Sequence, residues 1–381
     1  MKLKKLFAGI VAVAMVATMG AASVLAEGGG TQVTPSAQDS NKQVSIDIVI
    51  TGTGYGSETV KLDVGTGKPV LVKNSSYTTE SAPENKTKIS VVETNGGTIT
   101  EPANGNTASK TLHIQLPDYD RVGTYVYKFN EVAVNGTTAG MTYDTTDKWL
   151  LVNVYNDVDK DGVFADNSAF KVNAVVLKSD PTSVLGTKDR TNLDALKIDQ
   201  IENQYNAGTF KVTKKVQGNM SDRQKDFNFR VTFEKVGNTT VRGAIKVGGI
   251  ANVNELAWDD SDSDNKMTYN FKLHHNQTAT FTNVPYDMKV SVVELDDSEH
   301  DLSGQTNGEY TVTYENTSGT IGEKSTDTTV ITEVNAVIKN KSEVNVDTGV
   351  ILDNAPYIAL LTIVAAGAVV MILKKRRTEE D

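Results

Sequence analysis

Apolar and polar residues alternate along most of the chain from Val44 onward. Val44, Ile46, Ile48 and Ile50 form the first such run, and similar runs rich in Thr, Val, Tyr and Ile recur to about residue 342, separated by turn residues. Alternation with a period of two is typical of strands that bury one face. A long helical period appears only at the two termini. The pattern therefore predicts an all-β fold with two tandem immunoglobulin-like β-sandwich domains.

A domain boundary is predicted near Ala207. One strand ends at Tyr205, and a new alternating run begins at Thr209. We therefore expect an N-terminal domain at 44–206 and a C-terminal domain at 207–342. The preceding residues 27–43 are rich in Gly, Ser, Gln and Thr, a composition typical of disordered segments.

Both termini carry long apolar runs. Three lysines precede an apolar run at residues 6–25 that ends in small residues, so residues 1–26 are predicted to be a secretory signal peptide. Residues 355–373 form a second apolar run, about long enough for one transmembrane helix. The basic residues 374–377 behind it would stay in the cytoplasm. We therefore expect the rest of the chain to be extracellular.

Composition narrows the possible functions. The 381 residues include no cysteine, so an exported β-protein of this kind must rely on core packing or on a crosslink other than a disulfide. The net charge of −10 argues against nucleic acid or an anionic membrane as a partner. The sequence shows no phosphate-binding glycine loop and no cofactor motif. No cofactor and no turnover enzyme are therefore expected.

Three polar residues occupy core positions of the second domain. Lys214, Glu294 and Asn340 share strand faces with apolar residues, namely Phe210, Val212 and Val216; Val290 and Val292; and Val334, Ala336 and Ile338. Burial lowers the pKa of a lysine and favours the neutral amine, and a carboxyl in the same apolar site can shuttle protons. The amine could attack the Asn carbonyl, expel ammonia and form a Lys–Asn isopeptide bond. The alternatives are a buried salt bridge beside a bystander Asn340, or a solvent-facing position for one of the three.

The first domain repeats only part of this set. Glu131 and Asn203 also fall on apolar faces, with Tyr125, Tyr127 and Phe129 and with Ile201 and Tyr205, respectively. The first strand carries no inward lysine, and Ile48 stands near the corresponding position. Lys42 and Lys61 are the nearest lysines, and alternation supports neither. Either the first strand lies elsewhere, or this domain keeps the Glu and the Asn without the bond.

Several of these segments resemble streptococcal-type backbone (major) pilins, which are assembled by sortases. Residues 210–219 with 226–229 resemble their opening strand, and residues 123–131 resemble a strand that carries a catalytic Glu. Such pilins have two immunoglobulin-like domains, each closed by an intramolecular isopeptide bond. The resemblance implies that Lys214 is the reactive lysine, that Asn340 and Asn203 are acceptors, and that Glu294 and Glu131 catalyse bond formation.

The same resemblance implies a lysine that links one subunit to the next. A pilin-type sortase uses a lysine a few residues before the first-domain acceptor, and Lys197 is the nearest match. The alternative is an ordinary exposed strand lysine, since Lys178 and Lys188 lie nearby.

Residues 343–381 resemble a cell-wall sorting signal. The pentapeptide at 345–349 precedes the apolar run and the basic tail, and the resemblance implies that a sortase cuts between Thr348 and Gly349. Asn345 and Val346 stand where the usual LPxTG pattern has Leu and Pro. The alternative is a plain single-pass membrane anchor with a chance Thr-Gly.

The resemblance implies a structural shaft subunit of a sortase-polymerised pilus, attached to the cell wall. The implied partners are identical pilin subunits, a sortase, the peptidoglycan, and host surface molecules or a tip adhesin, with no nucleic acid. The first alternative is a wall-anchored monomeric adhesin that binds a host protein or glycan. A surface hydrolase is a second alternative, which the lack of a plausible catalytic domain disfavours.

One acidic segment matches the beginning of a calcium-binding loop. Asp157, Asp159 and Asp161 alternate ahead of Gly162, as in an EF-hand. Ser168 stands where the loop needs Glu, and no helices flank it. A solvated acidic turn is the alternative to a calcium site.

Overall fold

The computed structural model describes residues 42–65, 69–73, 78–81, 87–156, 170–181, 185, 191–259, 265–302, 304–323, 330–344, 360–366 and 368–371. Strands dominate these residues, so the prediction of an all-β protein is confirmed.

Within the described residues, twelve strands precede residue 206, and we call them the first sandwich. They are β1 (Gln43–Thr51), β2 (Ser57–Asp63), β3 (Val70–Lys73), β4 (Thr78–Ser81), β5 (Ser90–Val91), β6 (Gly97–Thr100), β7 (Thr107–Gln115), β8 (Gly123–Ala133), β9 (Met141–Thr142), β10 (Lys148–Tyr155), β11 (Lys171–Leu177) and β12 (Gln200–Tyr205). A 3₁₀ helix, Thr191–Leu196, lies between β11 and β12.

The first sandwich consists of two sheets. One has the order β5-β7-β1-β12-β9, and the other has the order β11-β10-β8-β2-β6, with β3 joined to β8 and β4 joined to β3. The pair β1–β12 is parallel, whereas β1–β7 and β8–β10 are antiparallel. Apolar side chains from both sheets form one buried core, which includes Ile48, Tyr125 and Ile201.

Eleven strands follow in the ranges that the structure describes up to residue 344, and we call them the second sandwich. They are β13 (Ala207–Gln217), β14 (Phe227–Glu234), β15 (Ile245–Gly248), β16 (Glu255–Leu256), β17 (Lys266–Leu273), β18 (Thr278–Pro285), β19 (Lys289–Leu295), β20 (Thr306–Asn307), β21 (Tyr310–Glu315), β22 (Ser318–Thr320) and β23 (Glu333–Lys341).

The second sandwich also has two sheets. The larger has the order β16-β15-β18-β13-β23-β21-β20, and the smaller has the order β17-β14-β19-β22. Its first and last strands, β13 and β23, lie side by side and parallel. Every second residue of β13 from Gly208 to Val216 is buried, which is the alternation that the sequence predicts. This arrangement places inward side chains of the first and last strands next to each other.

The two sandwiches meet through a short connection and a polar contact. Only Asn206 separates β12 from β13. Thr138 and Thr240 form a parallel bridge, and Asn283 Nδ2 donates to the carbonyl oxygen of Gly54 at 2.7 Å. Gly54 has a φ of +95°, and a side chain here would collide with Asn283, so glycine is required.

Residues 360–366 and 368–371 are helical and exposed. Within the part of the chain that the structure describes, no helix is both long enough and apolar enough to cross a bilayer. The remainder of the span predicted at 355–373, the segments predicted as a signal peptide and most of the segment predicted as disordered lie outside the described residues.

Candidate functional site: a buried Lys–Glu–Asn cluster

The parallel pairing of β13 and β23 brings Lys214 beside Asn340. Lys214 pairs with Ile338, and Val216 pairs with Asn340, so the lysine and the asparagine are offset by two residues on the same face. Lys214 Nζ lies 2.5 Å from Asn340 Oδ1. Both residues are 0% exposed. The inward orientation predicted for these two residues is confirmed, and the solvent-facing alternative is wrong.

Glu294 reaches the same point from the opposite sheet. It lies on β19, which pairs with β14, and it is also 0% exposed. Its Oε2 accepts a hydrogen bond from Lys214 Nζ at 2.6 Å, and its Oε1 accepts one from Asn340 Nδ2 at 2.6 Å. One carboxyl group therefore contacts both the amine and the amide nitrogen.

Two features of this cluster were not found from the sequence. Asn307, on the two-residue strand β20, donates to Glu294 Oε1 at 2.7 Å and holds the carboxyl in place. Phe227 covers the amine, with its ring centroid 3.9 Å from Lys214 Nζ, and Phe229 lies at 5.3 Å. The aromatic rings exclude water from the site, so the polar groups interact in a medium of low dielectric constant.

The surroundings of Lys214 favour its neutral form more than water does. Burial lowers the pKa of Lys214 to about 8, although the adjacent Glu294 carboxylate acts in the opposite direction. A lysine with this pKa is unprotonated in a useful fraction of molecules near neutral pH. The cluster therefore has an amine nucleophile, an amide carbonyl within contact distance, and a carboxyl group that can move a proton between them.

The first sandwich has the equivalent strands but a different residue at the lysine position. Ile48 pairs with Ile201 and Ile50 pairs with Asn203, so Ile48 has the same two-residue offset from Asn203 that Lys214 has from Asn340. Neither Lys42 nor Lys61, the nearest lysines, supplies an amine at this position. Lys42 pairs with exposed Asp118 at 2.5 Å, and Lys61 is exposed between two buried neighbours.

Glu131 and Asn203 nevertheless meet in the first core. Asn203 Nδ2 donates to Glu131 Oε1 at 2.7 Å, and the backbone N–H of Asp144 donates to Asn203 Oδ1 at 2.9 Å. Glu131 Oε2 is buried and has no hydrogen-bond partner among the described residues. Burial raises the pKa of Glu131 to about 7, although the hydrogen bond from Asn203 acts in the opposite direction.

A second buried lysine, Lys148, lies at the start of β10. Its Nζ donates to Asp144 Oδ1 and to the carbonyl oxygen of Thr146, both at 2.9 Å, and also contacts Thr146 Oγ1 at 2.5 Å. Three oxygens therefore take the three donors of this ammonium group. Lys148 alternates with the buried residues Leu150, Val152 and Val154, so the period-two pattern carried a signal for it.

The pKa of Glu131 makes the first sandwich less stable as the pH rises. The ordinary value is 4.5 and the folded value is about 7, so between these limits the folded state holds a proton that the unfolded state loses. At about 1.4 kcal/mol per pH unit, the free energy of unfolding should fall by roughly 3 kcal/mol across this window. Urea unfolding at pH 4.5 and pH 8 measures this change. Glu131→Gln should remove this pH dependence. The control Glu202→Gln, at an exposed position on β12, should keep it. The same pH dependence in wild type and both variants would contradict the assignment of the effect to Glu131.

Lys197, the predicted linkage lysine, lies just after the 3₁₀ helix. Its side chain is only 9% exposed, and its Nζ pairs with Asp194 Oδ1 at 2.6 Å. Lys197 also forms a β-bridge with Leu177. A sortase could use this amine only after the ion pair with Asp194 opens.

Two groups of predicted site residues cannot be placed. Thr348 and Gly349, and likewise Asp157, Asp159 and Asp161, lie outside the described residues. Within the described ranges, no cluster of three or more His, Asp or Glu side chains could hold a metal ion.

Comparisons with known proteins match both halves of the chain. Residues 60–184 match the family model described as "Spy0128-like isopeptide containing domain". Residues 208–335 match a model described as a domain of unknown function, DUF7601. A pilin of Streptococcus pyogenes serotype M1 is 27% identical over 290 residues, which cover 73% of this chain and 76% of that protein. The resemblance to streptococcal pilins is confirmed.

Solved structures of pilins from the same species were also matched. The major pilin T3.2 from Streptococcus pyogenes serotype GAS13637 is 16% identical, with a TM-score of 0.44, over 80% of this chain and 99% of that chain. Another major pilin from Streptococcus pyogenes is 19% identical, with a TM-score of 0.40, over 79% of this chain and 99% of that chain.

Proposed function

Since most of the chain aligns with a streptococcal pilin, we propose that it is the structural shaft subunit of a sortase-polymerised pilus. We further propose that Lys214 and Asn340 form an isopeptide bond with the help of Glu294. The observation that carries this proposal is the mutual contact of three side chains that are each 0% exposed. The reaction occurs once per chain, so the protein is a self-modifying structural subunit and not a turnover enzyme.

The proposed reaction begins with the neutral amine of Lys214. Nζ attacks Cγ of Asn340, and the nitrogen that becomes positively charged gives a proton to Glu294 Oε2, 2.6 Å away. The carboxyl group, protonated by this transfer, then passes the proton on to Asn340 Nδ2, which lies 2.6 Å from Glu294 Oε1 in the structure. The Cγ–Nδ2 bond then breaks, and ammonia leaves. One secondary amide has formed, and Glu294 ends in the protonation state in which it started.

The alternative of a permanent buried salt bridge is the less favourable use of these residues. Removing an ammonium and a carboxylate from water costs several kcal/mol per ion, and their attraction does not always repay that cost. Bond formation replaces the ammonium with a neutral amide and removes this cost. The depressed pKa of Lys214 supports the same conclusion, because burial outweighs the attraction to Glu294.

The position of the bond fits a subunit that carries tension. We propose that subunits are joined from Thr348 of one chain to Lys197 of the next, and that the final subunit is joined to peptidoglycan. Within a subunit, force then runs from Lys197 along β12, through Asn206 into β13, and across the Lys214–Asn340 bond to the C-terminus. The strands from β14 to β22 lie outside this covalent path, so tension need not unfold them.

Polymerisation can be tested in a Gram-positive host that carries the matching pilin sortase. The wild-type chain is expected to form a ladder of polymers that survives boiling in detergent, because the subunits are joined by amide bonds. Lys197→Arg should reduce the ladder to monomers, since the guanidinium of Arg is not a nucleophile at neutral pH. Lys178→Arg, at a nearby exposed lysine, is the matched control and should leave the ladder unchanged.

Two results of this test would contradict the proposal. A wild-type chain that reaches the wall only as a monomer would favour the adhesin alternative. A ladder that persists in Lys197→Arg would show that another lysine is the acceptor.

A further inference from the structure

The first sandwich contains a carboxyl–amide pair that resembles half of the cluster in the second. We propose that Glu131 and Asn203 form a latent amidation site, which takes a primary amine at position 48 but receives none in this chain. The proposal rests on the proposed isopeptide chemistry of Lys214, Glu294 and Asn340. It means that the chain closes one covalent bond and not two.

The acceptor half of the site is complete. Asn203 Nδ2 donates to Glu131 Oε1 at 2.7 Å, which matches the 2.6 Å contact between Asn340 and Glu294. The backbone N–H of Asp144, 2.9 Å from Asn203 Oδ1, points at the oxygen that becomes negative when the carbonyl is attacked. The raised pKa of Glu131 lets its carboxyl hold or release a proton near neutral pH.

A carboxyl oxygen of Glu131 without a hydrogen-bond partner among the described residues marks the position that the amine would occupy. In the second sandwich Glu294 Oε2 contacts Lys214 Nζ, whereas in the first Glu131 Oε2 is buried without a partner among the described residues. A buried polar atom without a partner costs about 1–3 kcal/mol and calls for an explanation. An amine at this point would satisfy the oxygen, as it does in the second sandwich.

The strand register identifies the residue that should carry this amine. In each parallel strand pair, the acceptor asparagine lies two residues beyond the residue that pairs with the position of interest. This holds for Asn203 relative to Ile48 and for Asn340 relative to Lys214. Ile48 is fully buried and has no reactive group. Lys148 is a buried lysine of this sandwich, but its Nζ already donates hydrogen bonds to Asp144 and Thr146. The absence of the bond is therefore assigned to the side chain at position 48.

The test is to supply the amine through Ile48→Lys. In this variant Nζ should attack Cγ of Asn203, ammonia should leave, and a secondary amide should remain. The intact mass should fall by one further ammonia relative to wild type, after correction for the substitution. The double variant Ile48→Lys, Glu131→Gln should not show this loss, because the proton carrier is gone. Ile48→Met controls for packing, since it places an unbranched side chain of similar length without an amine.

A digest of the same samples distinguishes the two sandwiches. The crosslink between the Lys214 and Asn340 peptides reports on the proposed function, and a crosslink between the position 48 and Asn203 peptides reports on the latent site. A folded Ile48→Lys chain without the second crosslink would overturn the proposal. So would a wild-type chain that already loses two ammonias, and Lys148→Arg would then show whether Lys148 supplies the second amine.

A second variant serves if Ile48→Lys does not fold. Ile48→Ala leaves a cavity beside Glu131 and Asn203, and such cavities admit small apolar ligands. Incubation with n-butylamine at a pH near 9 should replace the amide nitrogen of Asn203, and the mass should rise by that of the amine less that of ammonia. No addition to Asn203 in the folded variant would count against the latent site.

Discussion

Asn340→Ala is expected to lower the free energy of unfolding of the second sandwich by about 5 kcal/mol. The proposed bond would join positions 126 residues apart, and a crosslink that closes a loop of this size restricts the unfolded chain by about that amount in the chain-entropy description. The substitution also leaves Lys214 and Glu294 buried without the amide, which adds to the loss. Guanidinium unfolding followed by circular dichroism measures the effect.

Two further variants distinguish the stability that comes from the proposed bond from the stability that comes from the packing of the last strand. Asn335→Ala removes an exposed amide from the same strand, β23, and should change the stability by less than about 0.5 kcal/mol. Glu294→Gln keeps the shape of the side chain but cannot move the proton, so it should lose nearly as much stability as Asn340→Ala. Similar stabilities for wild type and Asn340→Ala would mean that no bond constrains the chain.

Arg242→Ala is expected to destabilise the chain by about 3–5 kcal/mol at the contact between the sandwiches. Arg242 Nε lies 3.2 Å from Glu58 Oε2, and the Glu58 side chain is 0% exposed. Thr138 Oγ1 donates to the same carboxylate, and the Arg242 guanidinium also donates to the carbonyl oxygen of Val134 at 3.3 Å. Removing one partner of a buried ion pair leaves an uncompensated charge, which is among the costliest single changes in a protein.

The matched control for this prediction is Arg230→Ala. Arg230 pairs with Asp301 at 2.7 Å, and the Asp301 carboxylate is 60% exposed, whereas the Glu58 carboxylate is 0% exposed. Exposed pairs contribute about 0–1 kcal/mol, so this variant should remain close to wild type. Limited proteolysis between β12 and β13 gives a second readout, because Arg242→Ala should expose the connection at Asn206. Equal stabilities for the two variants would contradict the role assigned to the Glu58–Arg242 pair.

Alternation in the sequence was enough to orient the reactive side chains. Because side chains on a strand point to opposite faces in turn, the position of Lys214 among Phe210, Val212 and Val216 determines that it faces the core. The same reasoning placed Glu294 and Asn340. It could not show that the three side chains meet, because the register between distant strands depends on tertiary packing. The pairing of β13 with β23 brings Lys214 beside Asn340, and the packing of the opposite sheet brings Glu294 to both of them.

The contacts of other residues were harder to predict from the sequence. Asn307 lies on a two-residue strand, which is too short for any alternation, so its contact with Glu294 was not predictable. The pair Glu58–Arg242 joins side chains from different sandwiches, and nothing local in either segment indicates the partner. For the first sandwich, the sequence left open whether the first strand had been placed wrongly. The register between β1 and β12 confirms that placement, and Ile48 lies where the second sandwich has Lys214.

The proposed covalent bond between Lys214 and Asn340 is tested most directly by the intact mass of residues 27–348, expressed without the segment predicted as a signal peptide and without the C-terminal tail. The measured mass should fall below the mass calculated from the sequence by one ammonia. A digest should then give the Lys214 and Asn340 peptides as a single crosslinked species, and Glu294→Gln should restore the calculated mass. A wild-type mass equal to the calculated value, with the two peptides separate, would contradict the proposed isopeptide bond.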